Sequence, residues 1–206
     1  HMEKRMSQLD KNLGQKTVVP LLKDDEFSPE FMVMVRRLKE AKSSKINRIN
    51  NSARAMAHAD EFGMATRNYL QSTWDLGDLS KPFKALIRFK VATTNTCFYC
   101  STHQIEHLRR LGCDENKIKN IQSYLTDDSF TASEKAALAF VDHMMTDASN
   151  IPDNVVEDFQ EHYSPKERIE IALTATAMSV LNKFNDAFRI PIEDEVIGIG
   201  IDVPKL

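Results

Sequence analysis

Residues 81–112 read KPFKALIRFKVATTNTCFYCSTHQIEHLRRLG, and this stretch decides the fold. Ser80-Lys81-Pro82 is a helix opening, with a capping hydroxyl followed by a proline in the first turn. Phe83, Leu86, Ile87 and Val91 then fall at i, i+3, i+4 and i+8, one face of a helix turned to the core. The run Thr93-Thr94-Asn95-Thr96 breaks that helix. A new one is expected from about Cys97 to Leu111, ending at Gly112, a natural C-terminal glycine. The pair reads as a helical hairpin with a Cys-x-x-Cys turn at its joint.

The same punctuation divides the rest of the chain. Ser28-Pro29-Glu30 opens a helix whose buried stripe is Phe31, Met34, Val35 and Leu38. A second helix is expected from about Ile46 to Leu70, loosened at Gly63, with a loop over Trp74–Asp78. Shorter helices are expected at about 114–124, 132–146 and 152–162, and a long one over 164–188 before Pro191. No segment alternates apolar and polar residues over a strand's length, so the fold class expected is all-α, a bundle of about 7–8 helices. Glu167–Leu173 echoes Phe83–Phe89, as if one hairpin had been used twice, although two unrelated amphipathic helices would look the same.

Composition sets outer limits. The chain has 206 residues, 42% hydrophobic and 28% charged, which is ordinary for one domain with a buried core. Residues 1–26 read as an arm beginning with His1-Met2, the scar of a cleaved tag; 27–195 as a single helical domain; and 196–206 as a tail. A formal charge of -3 gives no general pull toward nucleic acid or anionic membrane. Arg36-Arg37 and Arg109-Arg110 are too short to change this and read as solvated helix faces. No apolar run approaches the roughly 18 residues of a membrane span, and the N-terminus lacks the apolar centre of a signal peptide. Three cysteines are an odd count that makes no disulfide framework, so a cytoplasmic chain with a reactive pair is expected.

That pair, Cys97 and Cys100, carries most of the chemical information. Two cysteines at i and i+3 in the first turn of a helix can reach disulfide geometry. The helix start favours thiolate, the nucleophile in peroxide reduction and disulfide exchange. Cys100, His103, Gln104 and His107 share one side of the helix, so either histidine can exchange protons with a thiol. The bland alternative is a pair of buried structural cysteines. A zinc site from Cys97, Cys100, His103 and His107 is disfavoured, because its four ligands would crowd one helix. His58, His143 and His162 read as ordinary surface or boundary residues, and Cys113 as structural. No metal and no cofactor are called for. The Met-rich segments 31–35 and 56–64 read as core before they read as an interface.

From Lys84 through Gly112 the chain resembles the core motif of the carboxymuconolactone decarboxylase superfamily, in its alkyl hydroperoxidase AhpD-like branch. The matching features are the amphipathic helix, Asn95-Thr96-Cys97-Phe98-Tyr99-Cys100, a following histidine, and a glycine twelve residues after the second cysteine. Ala136–Phe140 and Asn182–Ala187 are similar too, so the likeness spans roughly residues 75–195. It implies an all-α fold of helical hairpins and a homo-oligomer, a dimer, trimer or hexamer. It also implies that Cys100 attacks a hydroperoxide, that Cys97 resolves the product, and that an unidentified thiol reductant restores the pair.

Two positions depart from the family pattern. Gln104 stands where the branch has a histidine four residues after the second cysteine, and Ala85 stands where it has a relay glutamate. His103 is then the substitute proton carrier, with Glu106 or another acid to orient it and His107, Gln104 and Tyr99 in support. The activity expected is a thiol-dependent peroxidase of antioxidant defence, slowed by the altered relay. The alternative is a non-catalytic, oligomeric redox sensor. The decarboxylase reaction of the superfamily's name ranks lower, because that branch does not depend on a Cys-x-x-Cys pair.

Overall fold

The computed structural model describes residues 10–41 and 48–199, with the side chains of 38–41 excepted. Leu38 as a core residue, Ile46 as a helix start, the His1-Met2 scar and the tail beyond residue 199 lie outside the described residues. Among the described residues there is no strand, and seven helices have ten residues or more. These are α1 (Pro29–Ala41), α3 (Asp60–Asp75), α4 (Lys81–Thr94), α5 (Phe98–Arg110), α7 (Ala132–Asp147), α8 (Asp153–His162) and α9 (Pro165–Ala187). Two shorter ones are α2 (Asn51–Met56) and α6 (Glu115–Lys119). The all-helical bundle expected from the sequence is the one observed.

Most helix starts follow their cap chemistry. Ser28 Oγ accepts from the Phe31 amide at 3.0 Å, and Ser80 Oγ from that of Phe83 at 3.3 Å. Thr131 with Glu134, and Ser164 with Glu167, form reciprocal capping boxes at α7 and α9.

The segment after α1 corrects the sequence reading. The expected helix of residues 46–70 is two helices joined by a 3-10 turn at Ala57–Ala59, and the break lies there, not at Gly63. At Gly63 the chain passes so near the end of α2 that a Cβ would lie 2.5 Å from the Met56 carbonyl oxygen. Glycine thus permits a close approach and leaves the helix intact. Trp74 and Asp75 belong to the last turn of α3, because the Trp74 ring is buried with Leu86, Ile105 and Leu108. The turn follows at Leu76 and at Gly77, whose φ of +88° suits glycine.

Helix α4 is the axis of the molecule, packed on α5, α7 and α9, and every residue from Lys84 to Thr93 is buried. Leu86, Ile87, Phe89 and Val91 each contribute roughly 1.5–3 kcal/mol by leaving water. Its cations need partners to lie there. Lys84 Nζ donates to the Trp74 and Leu76 carbonyls; Lys90 Nζ lies 3.0 Å from Asp142 and over the Tyr124 ring. Helix α8 folds back on α7 through the stacked pair Phe140–Phe159, centroids 4.2 Å apart.

Both ends of the described chain run along this body. The Val18 amide donates to the Phe188 carbonyl at 3.1 Å, and Val19 and Leu21 pack on the core. After α9, Ile190, Ile192 and Val196 are buried, which fixes the segment between them against α5.

Candidate active site

Thr96, with φ at +55°, turns the chain between α4 and α5 and sets Cys97 as the N-cap of α5. The Cys97 sulfur takes the role an oxygen usually has there, accepting from the Cys100 amide at 3.4 Å. Both thiols are free and buried, but they face different surroundings. Cys97 is fully enclosed among Ile87, Val91, Ala175 and other core residues. Cys100 lines a cavity of about 80 Å³ with Tyr99, His103, Gln104 and His107 of α5, joined by Arg67, Arg88 and Asn185.

The electrostatics of Cys97 run against the expectation from its helix start. Burial first, then the hydrogen bond and charge of Cys100, push its thiol well above the usual cysteine range. Loss of water outweighs the helix dipole at that atom. At Cys100 the structure supplies a donor the sequence reading passed over. The Asn185 side-chain amide donates to its sulfur at 3.4 Å.

His103 is in the cavity wall, yet neither ring nitrogen is bonded to Cys100, as a substitute proton carrier leaning on the thiol would require. Nδ1 faces the Tyr99 carbonyl oxygen at 2.7 Å, and Nε2 is in ion-pair contact with Glu193 at 2.7 Å. The Tyr99 ring lies 4.3 Å from that of His103, centroid to centroid.

Glu193 is the residue that sequence reasoning missed. Its carboxylate accepts from the Tyr99 hydroxyl at 2.6 Å and from the Asn51 amide at 2.6 Å. Burial would raise its pKa, but the His103 contact, followed by the bonds from Tyr99 and Asn51, outweighs it and holds the group at about 2. Burial, then the charge and hydrogen bond of Glu193, push the Tyr99 phenol well up. The acid suggested from sequence, Glu106, is engaged elsewhere, at 2.6 Å from Arg48. Ala85 is fully buried in apolar surroundings, and the carboxylate beside His103 is that of Glu193.

Of the expected supporting residues, Gln104 is buried in the wall and the His107 ring packs against Trp74 at 5.6 Å. Nothing in the sequence around Pro191-Ile192-Glu193 announces a site residue. Asn185 carried a faint signal, sitting three residues after Asn182 on the core face of α9, where both amides are buried. Among the described residues no three His, Cys, Asp or Glu side chains converge as a metal-holding group, and no helix is long and apolar enough to cross a membrane.

Residues 60–143 match the model of the carboxymuconolactone decarboxylase family. An uncharacterized Bacillus subtilis protein, YdfG, is 24% identical over 115 residues, 55% of this chain and 74% of that protein. Among solved structures, the debrominase Bmp8 without ligand is 20% identical with a TM-score of 0.81, covering 93% of this chain and 100% of that one. An uncharacterized peroxidase-related protein from Ralstonia eutropha, described as an alkylhydroperoxidase AhpD core, is 18% identical with a TM-score of 0.75 over 92% and 98%. A protein of unknown function from Agrobacterium tumefaciens, a putative antioxidant defence protein AhpD, is 26% identical with a TM-score of 0.60 over 73% and 99%.

Proposed function

We propose that this chain, which has a carboxymuconolactone decarboxylase family region on an AhpD-like fold, is a thiol-dependent peroxidase working through Cys100 and Cys97. The observation that carries the reading is the unequal placement of the two thiols. Cys100 opens on a cavity, while Cys97 is enclosed one helical turn away with its sulfur at the Cys100 amide.

The Cys100 thiolate attacks the outer oxygen of a hydroperoxide and the O–O bond breaks. The alkoxide leaves and takes up a proton, and Cys100 becomes a sulfenic acid. Cys97 then gives up its proton and attacks that sulfur; the S–O bond breaks, water departs, and a disulfide forms. A dithiol reductant from outside the chain restores both thiols. Asn185 donates to the Cys100 sulfur, and the ring of His103, held against Glu193, lies in the same cavity wall. His103 is a positioning group in this scheme, with Tyr99 and Glu193 holding it.

The test is intact mass after one equivalent of an organic hydroperoxide is added to the reduced protein. Loss of two hydrogens in the wild type, a trapped oxidised adduct in Cys97→Ser and no reaction in Cys100→Ser are expected. Unchanged mass with both thiols still open to alkylation would sink the proposal. A single oxidation without turnover under any dithiol would favour a redox sensor instead.

A further inference from the structure

The wall around Cys100 has a composition that peroxide reduction alone does not require. Among the described residues it holds two guanidinium groups, Arg67 from α3 and Arg88 from α4, and no acidic side chain. Arg67 makes no hydrogen bond or ion pair among the described residues, and its Nε is buried without a partner. Arg88 is buried too; its Nη2 donates to Thr73 Oγ1 at 2.7 Å and to the Leu70 carbonyl, but its Nε has no partner. A buried guanidinium donor without an acceptor costs free energy, and carboxylates are its best acceptors.

Two acceptors in the same wall are equally unused. Gln104 Oε1 and the Asn185 side-chain oxygen are buried and without partners, although the Asn185 amide nitrogen is occupied by Cys100. The cavity therefore offers spare donors and spare acceptors beside one thiol. Hydrogen peroxide or a neutral alkyl hydroperoxide supplies no anion for the arginines. A hydroperoxide that also bears a carboxylate supplies both halves, an anion for the guanidinium groups and an O–H for an amide oxygen. At about 80 Å³ the space takes only a few heavy atoms, so the reacting end must be compact. A longer body would leave past the partly exposed Arg67 and Gln71.

We propose that the cavity at Cys100 is an anion seat built by Arg67 and Arg88, and that the peroxide it receives carries a carboxylate close to the hydroperoxyl group. The second half rests on the peroxidase reading; the first does not, and it can be tested without turnover. The test compares two alkylating reagents of nearly equal size at Cys100 of the reduced full chain, anionic iodoacetate and neutral iodoacetamide. Rates are read by peptide mass. The iodoacetate-to-iodoacetamide ratio at Cys100 is expected to exceed that of a neutral cysteine derivative about tenfold. Arg67→Met is expected to bring it down to the derivative's value, and Arg67→Lys to keep part of the gain.

A ratio within twofold of the derivative's, or one unchanged in Arg67→Met, overturns the seat. So does failure of both reagents to reach Cys100, since a cavity closed to a two-carbon acid cannot admit the substrate proposed. With the seat established, peroxide consumption is compared for two hydroperoxides of matched size, with and without a carboxylate. A tenfold preference for the acid that falls in Arg67→Met supports the substrate class, and equal rates overturn it. A raised alkylation ratio with neither peroxide consumed keeps the seat and removes the peroxidase reading.

Discussion

The thiol turn at 96–103 and the segment 190–196 meet at His103, but they are held there by different means. The bonds that shape the turn itself are local: Cys97 to Cys100, three residues apart, and Tyr99 to His103, four apart. In the second segment, Glu193 reaches its site through partners 94 and 142 residues distant in sequence, Tyr99 and Asn51. Local bonds come with the helix itself. Distant ones exist only once the whole bundle has closed, and their cost in chain entropy is met by burying Ile190, Ile192 and Val196. One half of the site is thus a property of a helix end, and the other a property of the fold.

Breaking the distant half should cost most. Glu193→Ala leaves the Tyr99 hydroxyl, the Asn51 amide and the His103 ring without their acceptor, so a loss of about 3 kcal/mol is expected. For a chain of this size that is a fall of roughly 10 °C in melting temperature, read by calorimetry. A melting point within 2 °C of wild type would show that the distant half is dispensable.

Glu193→Gln sharpens the contrast by keeping the shape and removing the charge. Peroxide consumption is expected to drop about tenfold while Cys100 remains alkylatable, because the carboxylate that orders the His103 ring is gone. Equal rates in the two proteins would place His103 outside the reaction.

The same substitution changes how the protein responds to acid. Glu193 sits at about 2 when folded, below its ordinary value of 4.5, so the stability it contributes is present above 4.5 and lost as pH falls through 2. Acid titration of the wild type should show a limb in that window, and Glu193→Gln should flatten it. Denaturation midpoints against pH measure this.

The smallest effect is expected from a purely local device. Ser164→Ala removes a cap from α9 and should cost about 1 kcal/mol in urea unfolding without altering peroxide consumption. A change in activity there would mean that local and distant devices are coupled through α9, which carries Asn185.

The sequence is legible where the rule is local. Capping hydroxyls, the apolar stripe of α4, Gly112 and the Cys-x-x-Cys turn all state their structure within four residues. Illegible features depend on what arrives from elsewhere. Trp74 looks like a loop residue until Ile105 and Leu108 of α5 are known to bury its ring. Gly63 looks like a weak point until Met56 is seen against it. The family resemblance points to position 85 for an acid and the hairpin itself offers Glu106, whereas the carboxylate beside His103 is that of Glu193, from beyond the last long helix. Nothing in the sequence singles out Arg67 or Arg88, and only the assembled cavity brings them into one wall with a thiol.

The N-cap of α5 is a sulfur atom, and that atom is also the one a Cys97–Cys100 disulfide would use. Oxidation would therefore spend the helix's own cap. The Cys100 amide is expected to exchange its hydrogen with solvent faster in the oxidised protein than in the reduced one, so that a redox state is written into the fraying of a single helix end.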